Sequence, residues 1–142
     1  MNGGVKMIRV HTKIIQAGES LQTKLEAPIE SIEWKTEQKQ LALSYHEKES
    51  QTTVDLLVSD GEIQLFRKGE VASQLLFKHQ KKTKGRYQLA QGQEILFEIK
   101  TKNVEVSSDW KQIFFEYQLS QLGEDLGEFT VNMEILKENI VQ

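Results

Sequence analysis

Apolar side chains, with an occasional small hydroxyl, recur at every second position through most of this chain. The rows are Ile8, Val10, Thr12 and Ile14; Leu41, Leu43 and Tyr45; Val54, Leu56 and Val58; Ile63 and Leu65; Val71, Ser73, Leu75 and Phe77. They continue with Ile95, Phe97 and Ile99; Ile113, Phe115, Tyr117 and Leu119; and Phe129, Val131, Met133 and Ile135. Successive side chains of a strand point to opposite faces, so this period of two marks strands with one buried face and one wet face. The punctuation agrees. Asp60-Gly61 between two alternating runs is a tight-hairpin signal, and Lys68-Gly69 marks a second turn. Gly18, Gly85, Gly92, Gly123 and Gly127 fall in comparable gaps, as do His46 to Gln51 and Ser107 to Asp109.

Two stretches leave the secondary structure open. Leu21, Leu25 and Ile32 would also suit a helix face interrupted by Pro28, the one proline of the chain. Leu119, Leu122 and Leu126 pose the same choice, though Gly123 and Gly127 favour a turn. About nine or ten strands with no strong helix between them bury one face by closing into a barrel or by stacking as a sandwich. A barrel of about eight or more strands encloses room for one small ligand. No linker, low-complexity tract or repeat divides the 142 residues, which predicts one domain over 5–137 with mobile ends at 1–4 and 138–142.

Composition excludes several chemistries. With no cysteine there are no disulfides, thiolate metal sites, Fe–S clusters or thiol nucleophiles, and the chain suits a reducing compartment. No apolar run exceeds three residues, far from the ~20 of a membrane helix or the roughly 7 to 15 of a signal-peptide core. The expectation is a cytoplasmic protein that does not use a membrane. A net charge of -3 offers polyanions no general attraction. Lys78, Lys81, Lys82, Lys84 and Arg86 make one stretch locally basic, read here as a solvated turn between two strands in preference to a nucleic-acid or anionic-lipid patch.

Catalytic templates are absent. His11, His46 and His79 lie far apart with no HExxH arrangement, so no metal is expected. No phosphate-binding loop, dinucleotide fingerprint, nucleophile elbow or EF-hand loop is present, and no cofactor is expected. Strand parity is more informative. Counting from Leu41 and Leu43 carries Tyr45 and Glu47 onto the apolar face near a rim, and counting from Ile63 and Leu65 puts Arg67 inward as well. The rows through Ile99 and Phe115 add Thr101 and Tyr117 to matching faces. A guanidinium removed from water must be paired. Glu47, Tyr45 and Tyr117 could satisfy Arg67 internally, the favoured reading, or Arg67 could offer its donors to a ligand carboxylate or phosphate. Trp34 and Trp110 are read as core or barrel-end plugs, and Tyr87 and His79 as surface or rim residues.

Tyr45-His46-Glu47, Phe66-Arg67-Lys68-Gly69, Tyr87 followed by Gly92, Ile99-Lys100-Thr101 and Glu116-Tyr117-Gln118-Leu119 occur in a particular order and spacing. In these the chain, from about Val5 to Ile135, resembles the YwiB-like family of Gram-positive bacteria, a family of unknown function. The resemblance implies an all-β fold, a closed antiparallel calycin- or lipocalin-like barrel of about eight to ten strands. It implies no activity, cofactor or substrate. Tyr45, Glu47, Arg67, Gly69, Tyr87, Gly92, Thr101 and Tyr117 are the matched positions, without established roles.

Three functions remain in view. The first is a binding module whose lumen takes a small apolar or anionic ligand through Arg67, with Tyr45, Glu47, Thr101 and Tyr117 around it. The second is a structural or regulatory protein-interaction module with a filled barrel, acting through the Lys78–Arg86 turn or an open sheet edge, as a monomer or a homodimer. The third is an enzyme with Glu47 as acid or base beside Arg67 and a tyrosine; the chain is expected not to be one.

Overall fold

Strands need partners for their backbone groups, and ten antiparallel strands meet most of that need here by closing on themselves. The computed structural model describes residues 6–137, so the terminal segments expected to be mobile lie outside the described residues. The strands are β1 (Lys6–Gln16), β2 (Glu19–Lys35), β3 (Gln40–Glu47), β4 (Thr52–Ser59), β5 (Glu62–Lys68), β6 (Ala72–Lys78), β7 (Lys82–Gln88), β8 (Glu94–Val106), β9 (Gln112–Gln121) and β10 (Glu124–Lys137). Each pairs with its sequence neighbours, and β1 closes the barrel against β10, with Ile8 opposite Ile135.

The inward rows form one continuous core that includes Ile8, Leu43, Tyr45, Val54, Leu56, Val58, Ile63, Phe77, Ile99, Ile113 and Phe115. Two hairpins show why the turns sit where they do. Ala17 and Gly18 both take positive φ (50° and 79°), the twist that joins β1 to β2 through two residues, and Gly61 does the same work after Asp60 at φ 77°.

Several expectations are corrected. Leu21 to Trp34 is strand, not helix: β2 is bonded to β1 through Glu19–Pro28 and then to β3 through Ile29–Lys35. The changeover falls at Pro28, which has no N–H to give β3, and the register shifts between Ile29 and Ser31. The basic stretch is not a turn. Only His79 to Lys81 connect, while Lys82, Lys84 and Arg86 stand on the outer face of β7 opposite Lys100, Glu98 and Leu96. Gly85 lies within β7 and Gly127 forms a bulge in β10 (φ 133°), so neither marks a gap. Val71 belongs to the β5–β6 turn and is 39% exposed, not part of the inward row.

The two ends differ. At one end, the floor, Trp34 at the end of β2 and Trp110 in the β8–β9 turn meet edge-on with ring centroids 4.7 Å apart; Trp110 packs against the core, whereas Trp34 is 44% exposed. At the other end the wall is uneven. β1, β2, β9 and β10 run 10 to 17 residues, whereas β3 to β7 run 7 or 8, so one side of the rim stands well above the other.

Candidate functional site

Below the uneven rim lies an open cavity of about 440 Å³. Its walls come from almost every strand: Val10, Leu25, Leu65, Leu75, Phe77, Phe115, Phe129, Val131 and Met133 supply apolar surface, and Tyr45, Glu47, Arg67, Tyr87 and Tyr117 supply polar tips. The chain has three tyrosines, and all of them are here.

Parity places Glu47 and Arg67 as the rows require, and the register brings them together, since Val54 is opposite both Tyr45 and Arg67. Arg67 Nη1 donates to Glu47 Oε2 at 3.1 Å and Nη2 to Oε1 at 2.6 Å, a two-pronged ion pair. The Ser50 hydroxyl, in the β3–β4 turn, donates to Glu47 Oε1 at 3.0 Å and steadies the carboxylate from the rim. The side chains are 35% exposed for Arg67 and 15% for Glu47, so the pair sits at the mouth and not in a dry core. Burial works against the charge of Arg67, but the hydrogen bonds and charge of Glu47 outweigh it and hold the guanidinium above its ordinary value. Burial pushes the Tyr45 and Tyr117 phenols well above the usual tyrosine range and raises Tyr87 too, so all three stay protonated donors at neutral pH.

Aromatic packing shapes the wall. Tyr117 stacks on Phe129, centroids 4.8 Å apart and planes 3° from parallel, and tilts against Phe77 at 4.6 Å. Tyr87 meets Phe97 edge-on at 4.8 Å. These contacts hold the rings against the wall.

Four of the five proposed ligand residues, Tyr45, Glu47, Arg67 and Tyr117, therefore share one cavity. Thr101 does not. It lies opposite Tyr117 on β8, 2% exposed, with its hydroxyl buried and lacking a hydrogen-bond partner, and it is absent from the cavity wall. Parity was right about its face, but which inward residues the cavity reaches is not encoded in one sequence row.

Tyr87 and His79, expected at the surface or rim, each have a defined place. Tyr87 lines the cavity, and the signal was present in Lys82-Thr-Lys-Gly-Arg-Tyr87, where charged residues alternate with small or aromatic ones. His79 accepts the Val104 amide at Nδ1 over 3.0 Å, tying the β6–β7 connection to β8. The remaining histidines hold separate partners, His11 with Gln22 and His46 with Thr53. Among the described residues no group of three or more His, Asp or Glu is placed to hold a metal, and no helix is long and apolar enough to cross a membrane.

A family model described as a domain of unknown function, DUF1934, matches residues 8–133. The chain belongs to the DUF1934 family. As a DUF1934 chain it is also similar to a solved structure, that of the YwiB protein from Bacillus subtilis, at 21% identity and a TM-score of 0.66, with 91% of this chain and 89% of that one covered. That likeness concerns the barrel fold and bears out the resemblance seen in the motifs. The search of curated proteins gives no match.

Proposed function

We propose that this barrel is a non-catalytic binding protein whose lumen takes one small, mostly apolar molecule, with a polar or anionic group set against the Glu47–Arg67 pair. The supporting observation is the open cavity of about 440 Å³, within the size range of small-molecule sites and walled by aromatic rings with a few convergent polar tips. Glu47 takes one N–H from each Nη of Arg67, leaving further donors of the fork for a ligand. Tyr45, Tyr87 and Tyr117 orient the guest as neutral donors. Both oxygens of Glu47 are committed to Arg67 and one also to Ser50, which favours a positioning role over that of a free base. A cytoplasmic setting goes with the cysteine-free composition.

Titration with anilinonaphthalene sulfonate, an apolar ring system with one anionic group, tests this reading. Saturable binding of one dye per chain is expected, weakened about tenfold or more by Arg67→Met and less by Tyr87→Phe, which removes only a hydroxyl. Native mass spectrometry of protein purified without organic solvent supplies a second readout. A bare mass together with no saturable dye binding would refute the proposal.

A further inference from the structure

The cavity does not stop at the rim; it reaches the side of a strand. Thr23, Lys24 and Leu25 all border it, as do Glu49 and Ser50. Consecutive side chains of a strand point to opposite faces, so a space bordered by both Lys24 and Leu25 reaches the main chain of β2, and Glu49 and Ser50 border the same space from the β3–β4 turn. Among the described residues this edge is free: β2 meets β3 only from Ile29 onward, so Glu19 to Pro28 have β1 on one side and no described strand on the other.

The phase of the ladder tells which groups are unpaired. Gln16 and Glu19 flank a two-residue hairpin and form a hydrogen-bonded pair, so Leu21, Thr23 and Leu25 also turn their N–H and C=O toward β1. Ser20, Gln22, Lys24 and Glu26 turn theirs outward, over a length of roughly 20 Å at about 3.3 Å per residue. Among the described residues, the bonds between main-chain groups outside the ladders include none from these four.

We infer that the free edge of β2 receives an extended peptide as an added strand, with one apolar or aromatic side chain of that peptide entering the lumen between Leu25 and the Glu47–Ser50 turn. The chemistry on each side fits. The edge supplies alternating main-chain donors and acceptors, and the adjoining cavity supplies an aromatic pocket for an inward side chain, the pattern of strand addition with a specificity pocket. A second copy of this chain fits less well, because its own β2 edge carries only Leu21, Thr23 and Leu25 on the inward face and would leave the aromatic cavity unfilled. The inference rests on the lumen being a binding site and names the class of partner that reaches it.

A display library of linear twelve-residue peptides is the probe. Enriched peptides are expected to share one aromatic position and to lose at least tenfold in affinity for a Gln22→Pro/Lys24→Pro double variant, whose prolines delete outward N–H groups while leaving the ladder to β1 intact. A Gln22→Thr/Lys24→Thr control keeps the amides and should keep the binding. Hydrogen exchange of the Gln22, Lys24 and Glu26 amides should slow when peptide is added. Peptides that bind the proline variant as well as the wild type, or amides that stay fast in the complex, would overturn strand addition while leaving the dye result standing. Protection of these amides in a concentration-dependent dimer would overturn it in favour of a second copy. Failure of the dye to bind the wild type would instead remove the lumen reading and, with it, the anchor.

Discussion

The Glu47–Arg67 pair concentrates the energetic stakes of the mouth in two residues. Losing one partner of a buried pair costs roughly 3 to 5 kcal/mol, but Arg67 keeps about a third of its side chain in water, so solvent screening lowers the expected cost. Denaturant titration should find Arg67→Met and Glu47→Gln each destabilising by about 1 to 3 kcal/mol. The double variant should be no worse than the poorer single, since the second change removes a charge already stranded. Additive losses would mean that the two residues stabilise the fold separately. The buried phenols give a pH dependence of definite sign. Unfolded tyrosine loses its proton near pH 10, whereas folded Tyr45 and Tyr117 hold theirs to higher pH. Above about pH 10 the unfolded chain therefore binds fewer protons than the folded one, and stability falls as pH rises. Tyr45→Phe and Tyr117→Phe should each flatten that alkaline decline; an unchanged slope would deny the burial. Parity made the faces of Tyr45, Glu47, Arg67 and Tyr117 legible in advance. That Glu47 would grip Arg67 from both oxygens was not legible, because it depends on the register linking β3, β4 and β5.

Among the elements, β2 and β7 departed furthest from expectation, each for a local reason. β2 lacks clean alternation because its first part stands above the rim with both faces wet, leaving Leu21 59% exposed. β7 looked like a turn because lysines fill its outer face, and its inner face carries Gly85 where another strand would carry a branched residue. A Cβ at Gly85 would lie 2.6 Å from Leu75 Cδ2 and 3.0 Å from Ile99 Cδ1, both in the core. Gly85→Ala should therefore cost about 1 to 3 kcal/mol in thermal or denaturant unfolding, as overpacking does. A neutral result would mean that Leu75 has room to turn aside. The seam beside it is short, since the β6–β7 ladder joins only Ala72–Gln74 to Arg86–Gln88. The connection is reinforced by Thr83 Oγ1 donating to the Leu76 carbonyl and by the Val104 amide donating to His79. His79→Ala should destabilise by about 1 kcal/mol, the usual worth of one such bond, and nitrogen chemical shifts should find His79 as the Nε2–H tautomer. Protonation at Nδ1 instead would contradict the bond to Val104.

For the molecule as a whole, closure between β1 and β10 makes the barrel depend on pairing the two ends of the chain, with Lys6 opposite Lys137. Contacts of such long sequence separation form late and slowly. The same adjacency predicts that a circular permutant joining the ends through a short linker and opened near Gly92, where the chain turns in open space, keeps a cooperative melt and a β-rich circular dichroism spectrum. Loss of cooperativity would show that the native order of strands is needed for folding. The period of two foretold a barrel or a sandwich, and the family resemblance chose between them; the notched rim emerged only with the strand lengths in three dimensions. The floor also sorts the chromophores. Both tryptophans of the chain are at that base, whereas all three tyrosines line the cavity that opens at the other end. Indole emission will thus follow global unfolding while staying nearly blind to occupancy, and tyrosine absorbance will register a guest, giving this barrel two optical gauges that can be read apart without any label.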